Sequence, residues 1–294
     1  MRNQTDLFYR VSYVFINIIL AAISIITIIP LVLTVIVSLS DEQSIIMNGF
    51  SFFPSKFSTL AFRTALEGSW IFSAYRVTVF VTVVGTFLCV LLSSALGYVI
   101  AQNKVKYRNR IAMFLFIPMV FNAGLMPWYM WVTRGLHLKN SLLALILPML
   151  VNPFWIFLLR NYFKTIPASL SESAEIDGAG PVYTFTTIIL PLSKPILATI
   201  VLFSSLSYWN NYTLSLWLID RQELYPLQYM LYKLQSYIIW LTQNAGSVSE
   251  GNEIIPSEST QMATFLIALG PIVLVYPFIQ KYFVKGIMIG AVKG

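Results

Sequence analysis

Long, uninterrupted apolar stretches limit what this chain can become more than any other feature. A helix rises 1.5 Å per residue, so about 20 apolar residues cross the hydrocarbon core of a bilayer. Six stretches reach that length, at about 11–39, 77–101, 111–132, 141–159, 196–218 and 263–283, the first interrupted by Pro30. The expected fold is therefore all-α, a polytopic membrane protein of six transmembrane helices forming one membrane domain over 1–294. Composition agrees: 57% of residues are hydrophobic and 11% charged, against about 25% charged in soluble domains. The first stretch is too long for a signal peptide and has no clear small-residue cleavage site, so it is expected to stay as a span.

The net charge of +7 would raise nucleic acid as a partner for a soluble protein. In a membrane protein, Lys and Arg gather in cytoplasmic loops instead, and no nucleic-acid partner is expected. With the N-terminus inside, twelve of the nineteen Lys and Arg fall on the cytoplasmic side. The segment KVKYRNR (104–110), a short connection between two spans, decides this orientation. Six spans then place the C-terminus inside as well. Two outer loops are long, about 40–75 and 219–262. Within the second, 222–241 has apolar residues at near-helical spacing and reads as an interfacial helix, with Tyr225, Tyr229, Tyr232 and Tyr237 as interface anchors or packing. Residues 244–259 read as a loop.

The cytoplasmic connection at about 165–195 is unusually polar. Pro167 favours a helix start, and 170–176 suits a short helix with Ser169 or Ser171 as N-cap. Gly178 permits a left-handed turn, and a second short helix from Pro181 to Ile189 follows. Pro191 and Pro195 are expected to break the chain before the next span. Local rules alone also allow an ordinary connector here, although thirty residues is long for one.

ESAEIDGAGPVYTFTTIILPLSKP (172–195) resembles the EAA loop of ABC-importer permeases, with pattern E-A-A-x-x-x-G-x(9)-I-x-L-P. Glu172, Ala174, Gly178, Ile188, Leu190 and Pro191 match it. Ser173 stands where the pattern has Ala, and Asp177 and Ala179 complete the DGA of the sugar branch. The segments 121–148, 158–170 and 207–232 are similar to carbohydrate permeases of the maltose-G and LplC-like type. The resemblance implies a type I importer permease, half of a translocation path for oligosaccharide or polysaccharide-derived sugar, in a bacterial plasma (inner) membrane. It implies that Glu172, Ser173, Ala174, Asp177, Gly178, Ala179 and Pro191 form a coupling helix seated on an ATPase. It also implies four kinds of partner: a homologous second permease, two ATP-binding subunits that hydrolyse ATP with Mg, an extracellular or periplasmic sugar-binding protein, and membrane lipid. Residues 246–258 are placed to touch that binding protein.

Asn210 and Asn211, flanked by Trp209, Tyr212 and Trp217, fall inside the fifth stretch. Amides are costly in hydrocarbon, so they face a wet path or bridge helices. Lining a sugar path suits amides and aromatic faces, and helix–helix bridging is the alternative. Asn122, Asn152, Trp155 and Tyr129 are further candidates for the path, whereas Trp128 and Trp131 read as interface anchors. No GxxxxGK[ST] occurs, so no ATPase site of the chain's own is expected and no cofactor is assigned to it. Cys89 and His137 are the only cysteine and histidine, so no metal site or catalytic triad is expected. An intramembrane enzyme would need polar catalytic pairs. A stand-alone secondary carrier would need more spans or an inverted repeat.

Overall fold

The first apolar stretch forms a single helix, α1 (Arg2–Ser38), which continues through Pro30. Three polar side chains in its apolar part are satisfied on the helix's own carbonyls: Asn17 Nδ2 donates to Tyr13 O at 2.7 Å, Ser24 Oγ to Leu20 O at 2.8 Å, and Thr34 Oγ1 to Pro30 O at 2.8 Å. This lets polar residues lie in an apolar environment at little cost. The structure, a computed structural model, describes residues 2–67, 69–243, 258–271 and 273. It divides into two compact units, residues 1–69 with 236–271 and residues 70–235 with 272–294.

In the first unit, α1 is followed by α2 (Glu42–Asn48) and α3 (Leu60–Glu67). An isolated bridge pairs Ser40 with Phe57, and Lys56 lies 3.6 Å from Asp41. The Glu42 carboxylate accepts from Glu258 N (3.0 Å), Ser259 N (3.0 Å) and Ser259 Oγ (2.7 Å). These N–H groups open a helix over 258–271, so Glu42, at the start of α2, caps it from a distant part of the chain.

The second unit holds α4 (Ser69–Ala101), α5 (Arg108–Val120), α6 (Leu125–Met130), α7 (Leu143–Ile146), α8 (Pro153–Phe163), α9 (Ala168–Ile176), α10 (Pro181–Tyr183), α11 (Leu190–Leu192), α12 (Lys194–Trp209) and α13 (Thr213–Leu218). α14 (Leu227–Gln243) follows and runs on past the unit's limit at 235. At 33 residues, α4 is the organising element. Its glycines admit close neighbours. A Cβ at Gly97 would stand 3.0 Å from Leu159 Cβ on α8, and one at Gly85 would stand 2.6 Å from the Tyr208 ring on α12. Small residues let membrane helices approach in this way. Tyr208, buried, donates its hydroxyl to Ile146 O at 3.0 Å and packs among Val77, Val81, Cys89 and Leu145.

Two of the apolar stretches, 111–132 and 141–159, are bent pairs of helices, and a third bend precedes the fifth stretch. α5 and the α6 segment (Leu125–Gly135) meet at 117°, Leu143–Met149 meets α8 at 48°, and Pro181–Leu192 meets α12 at 82°. Only Ser12–Ser38 and Trp70–Ala101 are, among the described residues, unbroken helices long and apolar enough to cross a membrane. The fifth stretch, 196–218, is also split, between α12 and α13 at Asn210–Tyr212. The sixth begins inside the helix over 258–271 and continues beyond the described residues.

Each break has a local cause. At the first, Gly124 takes φ +85° and its N–H donates to Asn122 Oδ1 at 2.8 Å. At the second, Asn152 caps α8 by accepting from Phe154 N at 3.0 Å, and Pro153 fills the first turn. The expected outer helix is present as α14, but Tyr225 and Tyr229 are buried in the core rather than anchored at an interface. Leu227 N, at the start of α14, donates to Thr78 Oγ1 on α4 at 2.8 Å.

Candidate coupling loop and translocation path

The loop after α8 folds as helix, glycine turn, helix. α9 starts directly after Pro167, whose backbone (φ −56°, ψ 127°) supplies the entry. The expected Ser169 or Ser171 cap does not form, because Pro167 sets the first turn before either serine can act. α9 ends in a Schellman turn: Ala179 N donates to Ala174 O (2.8 Å), Gly178 N donates to Glu175 O (3.0 Å), and Gly178 has φ +83°. That conformation is cheap only for glycine.

The second helix continues through a wider π segment (Thr184–Ile189) into α11. The expected break before the next span falls at Ser193, between Pro191 and Pro195, while Pro191 itself lies inside a helix. It sits in the first turn of α11 behind that wide segment, which leaves room for its ring.

Ala174 is buried, while Glu172, Ser173, Asp177 and Pro191 are exposed and Ala179 is half-buried. Ile176, Val182 and Tyr183 are also exposed, at 86%, 76% and 59%. Around the Gly178 turn, the loop thus presents an apolar patch edged by acids. The third acid is committed elsewhere: Glu175 accepts from Lys104 Nζ, which ties α9 to the connection between α4 and α5. This hydrogen bond, helped by the fields of Glu175 and Glu172, holds the Lys104 ammonium above its usual range. Nothing in the sequence signals this pair, whose members lie 71 positions apart.

The second group of predicted residues lies at the α12–α13 break. Asn211 Oδ1 accepts from Leu214 N at 2.9 Å, and its Nδ2 points to Met149 Sδ at 3.3 Å. Asn210 is exposed and accepts from Gln228 Nε2 at 3.4 Å. Tyr212 stacks on Tyr232 (centroids 5.0 Å, 17°), and Tyr232 stacks on Tyr229 (6.3 Å, 14°). Trp209 is buried edge-on to Tyr75 at 6.5 Å, and its indole N–H has no acceptor among the described residues. Beside the break, a small cleft is lined by Thr78, Val81, Leu145, Tyr208, Asn211 and Pro226. Trp155 stacks on Phe203 (5.8 Å, 19°), Asn152 caps α8, and Asn122 lies at the separate α5–α6 bend. Asn122, Asn152 and Asn211 thus each hold a helix break.

A rim of contacts above this break went unread in the sequence. Asn140, at φ +59°, accepts from Asp220 N at 2.6 Å and Arg221 N at 3.3 Å, and Lys139 Nζ lies 2.9 Å from Asp220 Oδ2. Hydrogen bonds from Lys139 and Asn140 hold the Asp220 carboxyl below its ordinary value. Lys233 lies over the Tyr225 and Tyr229 rings at 4.8 and 5.8 Å.

Long apolar helices, several of them broken at amides that cap the backbone, mark a helical membrane protein. The chain belongs to the family of binding-protein-dependent transport system inner membrane components, whose model matches residues 93–289. It is similar to protein LplC of Bacillus subtilis (strain 168), 35% identical over 94% of this chain and 92% of that one. It is also similar to the polygalacturonan/rhamnogalacturonan transport system permease protein YtcP of the same organism, 36% identical over 92% and 94%. Among solved structures, a bacterial ABC transporter involved in the import of the acidic polysaccharide alginate matches with TM-score 0.82 at 27% identity, over 93% of this chain and 97% of that one. The protein is a permease component of an ABC importer and has no ATPase site of its own.

Proposed function

We propose that this permease carries oligosaccharides derived from polysaccharides and takes its power from a separate ATPase docked on the α9 loop. The carrying observation is the loop itself: a short helix locked by the Gly178 Schellman turn, with Glu172, Ile176, Val182 and Tyr183 exposed around it. A short rigid helix transmits displacement, and an exposed apolar patch with an acidic edge suits a protein groove. The sugar class is supported by the names of the relatives and by the amides and tyrosines at the α12–α13 break. Asn210 and Tyr212, both exposed, are the proposed sugar contacts. A second permease completes the path, two ATP-binding subunits hydrolyse ATP with Mg, and a capture protein delivers the sugar. The N-terminus and the α9 loop lie on the cytoplasmic side. Residues 246–257, in the proposed capture-protein loop, lie outside the described residues.

The test is Glu172→Lys in the assembled importer. Capture of sugar by the binding protein stays intact, while ATP-driven uptake falls at least tenfold. Unchanged uptake, together with labelling of residue 172 from outside the cell, would overturn the reading.

A further inference from the structure

Three cations converge where α4, α5 and α8 end together. Arg108 opens α5, while Arg160 and Lys164 stand one turn apart at the end of α8. Ile100, Leu115 and Ile156 hold the three helices side by side, and Phe116 meets Phe157 at 6.4 Å. Arg160 Nε donates to Ile100 O at 3.3 Å, and Arg108 donates to Asn103 Oδ1. Among the described residues none of the three has a carboxylate partner, and Glu175 on α9 is taken by Lys104. Arg160, then burial, then Arg108 push the Lys164 ammonium below its usual range, so the three charges sense one another.

The helix dipole accounts for Arg160 and Lys164, which lie at a negative C-terminal end. It does not account for Arg108, which stands at the positive end of α5. Like charges gathered without a counter-ion mark a place for an anion. Next to them, the exposed Tyr107 ring is flanked by Lys106 and Arg110 at 5.6 and 5.3 Å. One turn further on begins an exposed apolar row, with Met113 at 62%, Phe114 at 74% and Ile117 at 47%. A cationic cluster at the edge of an apolar helix surface fits an amphiphile: the anion is its head and the row receives its chains.

We propose that Arg108, Arg160 and Lys164 bind the phosphate of an acidic phospholipid headgroup, whose acyl chains lie along the outer face of α5. The guanidinium forks supply paired donors for phosphate oxygens, and Lys164 adds a point charge. The adjoining apolar row is what selects a lipid over free phosphate. The inference rests on the membrane reading of α5 and is independent of which sugar is carried.

The purified importer, exchanged into mixed micelles, is offered phosphatidylglycerol and phosphatidylcholine with identical chains, and retained lipid is counted by native mass spectrometry. Phosphatidylglycerol is retained at least tenfold over phosphatidylcholine. Each of Arg108→Gln, Arg160→Gln and Lys164→Gln lowers that preference about fivefold, while the charge-keeping Arg160→Lys preserves most of it. Millimolar inorganic phosphate does not displace the lipid. Equal retention of the two lipids by the unmodified protein overturns the proposal without any variant. So does displacement by inorganic phosphate, which would mean that the site reads the phosphate alone. A triple Gln variant that keeps phosphatidylglycerol but sheds its ATPase would make the cluster a protein contact and sink the proposal equally.

Discussion

Substitution of Gly178 isolates the turn that closes α9. Its φ of +83° is left-handed, and a Cβ built there meets nothing within 4 Å. Any loss on substitution is therefore backbone strain alone. An L-residue in that region costs about 1–2 kcal/mol. Alanine recovers about 0.4–1 kcal/mol by restricting the unfolded chain, so Gly178→Ala should cost about 1 kcal/mol net. Because α9 has only nine residues, that strain acts on its last turn. The Ala179–Ala174 and Gly178–Glu175 hydrogen bonds should open about fivefold more often. Asn tolerates left-handed backbone, so Gly178→Asn should lie between Gly and Ala, and Gly178→Val should be worst. Hydrogen exchange of the amides at 178 and 179 reads this opening directly, and ATP turnover per sugar transported reads its consequence. Equal exchange for Gly and Ala, or faster exchange for Asn than for Ala, would refute the reasoning.

Gly85→Ala places a methyl 2.6 Å from the Tyr208 ring; the expected overpacking cost is about 1–3 kcal/mol, seen as a lower Tm in detergent and relieved by adding Tyr208→Leu. Glu42→Ala removes three hydrogen bonds from the start of the helix over 258–271. It should cost about 1–2 kcal/mol, with proteolysis near residue 258 as the readout and Glu42→Gln milder. The Asp220 carboxyl is lowered from 3.8 by its bonds to Lys139 and Asn140, so its contribution is full above that value and is lost as pH falls through the lower folded value. Lys139→Gln should move the Asp220 titration upward in an NMR pH series, and an unmoved titration would count against the pair.

The α9 loop was legible because its punctuation is local: Pro167 and Pro181 start helices, and Gly178 turns the chain. Run lengths marked the apolar stretches, but not where their helices break. Hydropathy is blind to Asn122, Asn152 and Asn211, because each amide bonds to nearby backbone and leaves its apolar stretch intact. Pro191 lies inside a helix because the wide 184–189 segment ahead of it is not regular, and the break that the two prolines announced falls between them, at Ser193. The Lys104–Glu175 and Lys139–Asp220 pairs needed the tertiary fold to bring distant residues together.

On the proposed function, the connections of α9 say where a push on it would go. Behind it, residues 164–167 join it to α8. Ahead, the 181–192 helix leads through the 82° turn at Ser193 into α12. The Lys104–Glu175 bridge supplies a third route, to the end of α4 and the start of α5. This bridge is exposed, and solvent-screened ion pairs add little to stability, so it does not hold the fold together. Its value would be directional, keeping α9 in register with the α4–α5 connection while the loop moves. Lys104→Glu and Glu175→Lys should each leave Tm almost unchanged and yet raise ATP consumed per sugar carried, and the exchanged pair in one protein should restore the ratio. If the double variant is no better than either single one, the bridge is a surface contact and the push travels through the chain alone.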